Sequence, residues 1–341
     1  MGFIFRTLKK LLASNIKENK KESVQRAWDE PDIPPLQGDY AKTIFLWIQS
    51  KAASPVRPTN KYAKYVLYDC GIRDTVSYHK NLIQEGYFEP ASVEDMLGNL
   101  KVTELKQVLS ELGQTVSGKK EELVRRVASA ADKETIEKFC SGEYYVLSEE
   151  GWAFLDAHYD YVRLHKHKGW GIEWREYDAH HYPGRSFHDT VWQIFNERLI
   201  RDDKLYGRLE YLYMYELLKE EGNRKRALEL LLKVIYVDFS GACGMQDYRM
   251  YYEGILTKKH LQEYFSAIIM WAPGLIDAVK EYKDVYEDAV IDVVYERILP
   301  VQICDKKMFT SFVHSMLDGT YDREKIEGKL KREYNKMIKN L

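Results

Sequence analysis

Residues 100–127 read LKVTELKQVLSELGQTVSGKKEELVRRV, and two helical periodicities meet there at a glycine. Val102, Leu105, Leu109 and Leu112 recur at intervals of three and four, which places them on one face of a helix. Gly113 is the residue that adopts left-handed backbone without steric cost, so it ends that helix. Ser117 is a good N-cap for a second helix. In that helix Leu123, Val124 and Val127 form the answering apolar face. The predicted hairpin core is Leu100, Val102, Leu105, Leu109, Gly113, Leu123 and Val127. A core of this size is barely stable alone, so the hairpin is expected to be carried by a larger domain.

The surface of the same stretch points to phosphate. It holds six basic residues against four acidic ones, whereas the whole chain has 51 Lys and Arg against 53 Asp and Glu. Any nucleic-acid contact must therefore come from a local patch. The first amides of the second helix lack partners inside the helix, and the helix dipole is positive there. Lys119 and Lys120 sit at that end, where cations are disfavoured unless an anion binds beside them. Gly118 permits close approach of a ligand backbone. Lys106, Arg125 and Arg126 widen the patch, so the predicted phosphate contacts are Lys106, Ser117, Gly118, Lys119, Lys120, Arg125 and Arg126. Contacts of this kind hold the backbone and carry little sequence information. The alternative is a hairpin that only packs or binds protein.

The stretch resembles the SAP motif, a helix–turn–helix hairpin with the pattern L-x-V-x-x-L-K, x-x-L, a glycine turn, then S-G-x-K-x-x-L-x-x-R-[LV]. The matching residues are Leu100, Val102, Leu105, Lys106, Leu109, Gly113, Ser117, Gly118, Lys120, Leu123, Arg126 and Val127. Gln114 stands where leucine is common. The resemblance implies that the phosphate is that of DNA, so that the same seven residues would be DNA contacts on the backbone.

Outward from the hairpin, apolar-rich stretches at 40–49, 61–68 and 74–85 predict three helices, followed by a strand at Tyr87-Phe88-Glu89. A partner strand is expected at 143–148 (EYYVLS), with Ser148 capping the helix after it. The string YYVLSEEGWAFLDAH resembles the strand-then-helix ending of many bacterial winged-helix proteins. The expectation is a winged-helix-like unit over 39–158, with the SAP module inserted at 92–141. Its recognition helix would be 74–85, offering Arg73, Ser77, His79, Lys80 and Asn81 to a groove. The strings KYAKYVLYDCGI, LIQEGYFE and YYVLSEEG together resemble uncharacterised SAP-domain proteins of bacterial phage or prophage type.

Before this unit, residues 1–38 are read as a basic amphipathic helix (MGFIFRTLKKLL) and a linker. After it, a helix is expected from Gly151 to about Lys168, and 159–186 is assigned as linker and loop. Residues 187–341 form a helical domain, bundle or tetratricopeptide-like, with helices at 189–201, 205–220, 225–238, 257–271, 274–281, 286–298, 306–317 and 323–340. The fold class is mainly α.

The 45% apolar content is enough for real cores in two or three domains. The four cysteines are far apart in sequence, which reads as reduced thiols in a cytoplasmic protein rather than a disulfide frame. No run is long enough to span a membrane. His158, His165, His167, His180, His181 and His188 crowd one stretch, and with Asp178 and Asp189 they raise a metal-dependent nuclease as a third possibility. Their spacing points them apart, so no metal and no cofactor is assigned. No phosphate loop, dinucleotide fingerprint or nucleophile elbow is present. The expected function is a non-catalytic DNA-binding accessory protein that contacts duplex DNA with low sequence specificity, while the helical tail binds a partner or self-associates. The second possibility is a protein-interaction scaffold with no nucleic-acid role.

Overall fold

The computed structural model describes residues 32–140, 142–201, 207–242, 254, 257–263, 265–299 and 301–340. The expected N-terminal amphipathic helix and Cys243 lie outside them. The chain is mainly helical and divides into two compact units between Gly169 and Trp170.

The first unit is built round helix α1 (Gly38–Gln49), which buries Tyr40, Ala41, Ile44, Phe45 and Leu46. The chain then passes through Ser54, which exchanges two backbone hydrogen bonds with Tyr145. Pro55 and Pro58 hold the next segment extended. Helix α2 (Lys64–Tyr68) ends at Gly71, whose backbone is left-handed at φ +72°. A side chain there would run into the Pro35 carbonyl, so glycine is required by close approach as well as by the turn. Helix α3 (Thr75–Gln84) starts on Asp74, whose carboxylate accepts from the amides of Val76 and Ser77. Strand β1 (Phe88–Pro90) pairs antiparallel with β2 (Tyr145–Leu147), Phe88 opposite Leu147 and Pro90 opposite Tyr145. The expected partner strand is thus in place, and the 54 residues between Pro90 and Tyr145 hold the insert.

Ser148 caps helix α8 (Glu149–Ala157), accepting from the Gly151 amide at 3.1 Å and donating to the Gly86 carbonyl. A side chain at 151 would collide with the Tyr87 carbonyl, so the glycine lets α8 lie against the sheet. The helix expected to run to Lys168 breaks at His158, whose ring Nδ1 bonds the Phe154 carbonyl. Helix α9 (Tyr159–Lys166) follows and packs on α1. The assignment of 159–186 as linker is therefore corrected: α9 belongs to the first unit, and Trp174–His180 (α10) is a helix of the second.

One predicted groove contact is also corrected. His79 is fully buried, edge-on to the rings of Phe45 and Tyr145 and tilted against Phe88, with Nδ1 3.1 Å from the Tyr62 hydroxyl. Burial pushes its pKa down to about 4, so it is a neutral core residue that faces no groove.

The second unit continues with α11 (Phe187–Arg201), α12 (Arg208–Glu220) and α13 (Arg224–Ser240). The last two pack along their length as a hairpin turned by Gly222 at φ +74°. Twelve consecutive-turn positions of α13 are buried, which makes it the central helix of the unit. Inside it Arg208 and Asp238 form a bidentate pair, both buried. Burial pushes the Asp238 carboxyl up and the guanidinium opposes that shift. The predicted helix at 257–271 appears as two pieces among the described residues, α14 (Lys258–Glu263) and α15 (Phe265–Ile268). Then come α16 (Pro273–Val279), α17 (Ala289–Tyr295), α18 (Lys306–Leu317) and α19 (Arg323–Asn340). Helix α19 buries Ile326, Leu330, Tyr334 and Ile338, a row spaced by four. No helix among the described residues is long and apolar enough to cross a membrane.

Candidate nucleic-acid interface

Between β1 and β2 the chain makes four helices with a core of their own. Helix α4 (Val93–Leu97) is capped by Ser92, which exchanges hydrogen bonds with Asp95 in a capping box. Helix α5 (Val102–Glu111) starts where Glu104 accepts from the Lys101 amide at 2.6 Å. It ends at Gly113, φ +65°, where the Gln114 amide reaches back to the Leu109 carbonyl and the Gly113 amide to Ser110. This is the glycine C-cap that the sequence predicted. Gln114 is exposed there, so the apolar contact that a leucine would add is missing. Helices α6 (Lys120–Ala130) and α7 (Lys133–Phe139) complete the module.

Its buried core is Leu97, Leu105, Val108, Leu109, Leu123, Val124, Val127 and Cys140, with Leu100 and Leu112 half-buried against it. Val102 is corrected: as the first residue of α5 it is 40% exposed, beyond the reach of α6. Val108 takes its place. That residue was legible from the spacing, since 105, 108, 109 and 112 fall at i, i+3, i+4 and i+7.

The cap of α6 is also corrected. Ser117 does not cap it; the cap position is Lys119, and Glu122 folds back so that its carboxylate accepts from the Lys119 amide at 3.2 Å. Gly118, at φ +128°, makes room, because a side chain there would press on the Glu122 carboxylate. The positive end of α6 thus holds an anion of the protein's own, with Glu121 beside it in the first turn. Arg126 is half-buried and committed. Its guanidinium donates to the carbonyls of Thr115 and Ser117, the latter at 3.0 Å, and pins the loop between the helices.

Four of the predicted contact residues remain free on the surface. Lys106, Lys119, Lys120 and Arg125 are exposed and enter no ion pair with the described residues. Three of them, at 119, 120 and 125, stand on or beside one helix, α6.

A second feature lay outside sequence reasoning. Lys120, Val124 and Arg125 of α6 line a cleft of about 860 Å³ whose other wall is the end of α1, β2 and α8. Lys51 and Trp152 stand on that other wall. No local pattern signals this, because positions 51, 120 and 152 come round one space only through contacts between distant segments, the β1–β2 pair and the Asn99 side chain on the Ala53 carbonyl among them.

The histidines do not gather. In the first unit His165 Nδ1 lies 3.2 Å from the Tyr40 hydroxyl, between Trp47 and Tyr65. In the second, His180 Nε2 pairs with Glu197 at 3.2 Å, His188 Nδ1 with Glu221 at 3.0 Å, and His181 lies against Tyr177 and Thr190. Among the described residues no group of three or more His, Cys, Asp or Glu side chains is placed to hold a metal ion. Cys70, Cys140 and Cys304 are buried free thiols.

A hairpin with this core, this glycine turn and basic residues at the head of α6 is a small helical module with a cationic end. Residues 96–130 match the family model of the SAP domain, so the chain carries a SAP domain within its first unit. No curated protein and no solved structure matches the chain.

Proposed function

We propose that this is a non-catalytic DNA-binding accessory protein whose SAP domain grips the phosphate backbone of duplex DNA. One observation carries the reading: Lys106, Lys119, Lys120 and Arg125 are exposed and form no ion pair with the described residues, on a domain that matches the SAP family. Such cations release counterions when they meet phosphate, which gives affinity that falls with salt and ignores sequence. A near-neutral chain exerts no long-range pull, so this local patch sets the binding.

The frame that carries the domain reads as a winged helix. Helices α1, α2 and α3, the Ser54–Tyr145 bridge and the β1–β2 pair come in the order that reading requires. On α3, Lys80 and Asn81 are exposed, but Ser77 donates to Asp74 and Arg73 to the Ile33 carbonyl. This leaves α3 a minor contributor beside the SAP domain. A second reading, a protein-binding role for the helical unit, draws on one groove there. Tyr182, Trp192 and Ile200 line it together, and Ile200 is 86% exposed.

The test is fluorescence anisotropy with a labelled duplex across a salt series, on the natural chain and on Lys119→Glu/Lys120→Glu. Affinity at low salt drops at least about tenfold in the variant, and the slope against salt becomes shallower by about two. Unchanged binding in a variant with intact circular dichroism would move the function to the protein-binding reading.

A further inference from the structure

We propose that the cleft between the SAP domain and its carrier seats one unpaired nucleotide of the bound DNA, with its base against Trp152. The inference rests on the DNA-binding reading above and names what lies next to the phosphate grip.

Size comes first. A space of about 860 Å³ is on the scale of pockets that enclose small organic groups, and far too narrow for a duplex. A nucleotide turned out of the stack fits that scale.

The chemistry of the walls is that of a nucleotide, part by part. Trp152 is 46% exposed on a helix that buries Leu155 and half-buries Phe154, and an open indole is a platform for any base. Lys120 and Arg125 are cations of the SAP side, and Lys51 is a cation of the carrier side. Lys51 rests over the Trp47 ring at 3.9 Å and enters no ion pair with the described residues. Three cations from two walls suit a phosphodiester that crosses between them. The cleft also holds carboxylates. Asp95 is tied to Ser92, while Glu94 and Glu121 are exposed. They make the space a poor sink for phosphate alone, but a carboxylate accepts from the amino group of cytosine or adenine. Continuity decides between this occupant and a peptide. The cations of α6 that face the cleft adjoin Lys119, so DNA held by the SAP domain already runs to its mouth.

The experiment compares a short oligodeoxycytidylate with a duplex, using the full chain, Trp152→Ala, Trp152→Phe and Lys51→Glu. Trp152→Ala weakens the single strand about tenfold and leaves the duplex within about twofold. Trp152→Phe restores most of the single-strand affinity, which a merely structural defect would not allow. Lys51→Glu lowers the salt slope for the single strand by about one. If Trp152→Ala and Lys51→Glu leave single-strand affinity unmoved while Lys119→Glu/Lys120→Glu lowers duplex affinity, the cleft proposal falls and the SAP grip stands. If the full chain binds neither DNA, both fall together.

Discussion

At the scale of the residue, the decisive contest is at the head of α6. The sequence points to Ser117 to satisfy its free amides, and the structure uses Glu122 instead, because Gly118 turns at φ +128° and lets the carboxylate fold back. The carboxylate is then the nearest competitor of a DNA phosphate. Glu122→Gln keeps an acceptor for the Lys119 amide but removes the charge. Duplex affinity at low salt should rise about threefold, by anisotropy, and the gain should shrink as salt screens it. A fall in affinity would show that phosphate does not approach this end. His79 gives a second residue-scale prediction. Its folded pKa is depressed to about 4 against 6.5 in the open chain, so the unfolded state binds the proton first. Its contribution is complete above about pH 6.5 and is lost as pH falls toward 4, for a total of about 3 kcal/mol. Urea unfolding of His79→Phe should show a flatter stability profile between those limits than the natural chain; parallel profiles would mean that another group sets the acid response.

At the scale of the element, the SAP hairpin was legible almost whole. Three- and four-residue spacing gave both apolar faces, and Gly113 gave the turn. Val102 failed because periodicity says which side a residue takes, but not how far along the helix its partner extends. Short strings on either side of the insert lead to strands at 87–89 and 143–148, and a pair is present at 88–90 and 145–147. The break at His158 was not legible, since it depends on a side chain competing for a helix carbonyl. Leu105 tests how independent the inserted element is. It is fully buried in a core of few residues, and Leu→Ala at such a site costs about 2–5 kcal/mol. That is comparable to the entire stability of a module so small. In Leu105→Ala, hydrogen exchange should accelerate through 93–139 while α1, α8 and α9 stay protected. Loss of protection across the whole first unit would show that insert and carrier fold as one.

At the scale of the whole molecule, composition told what the chain is made of and little about where it acts. Near-neutral charge hid a local excess of cations, and an even spread of helical pattern hid the division at Gly169 and Trp170. The cleft beside Trp152 was out of reach of any reading along the chain, because its walls are assembled from segments a hundred positions apart. The pairing of β1 with β2 has one more consequence. The Ala91 amide bonds the Tyr144 carbonyl, so the chain leaves for the SAP domain and returns from it at adjacent points of one ribbon. To its carrier the domain is the tip of a hairpin, steadied by a hydrogen bond from the Asn99 side chain to the Ala53 carbonyl. Recombination that exchanged it for a two-residue turn, or for another tool on the same handle, would leave the register of the ribbon intact.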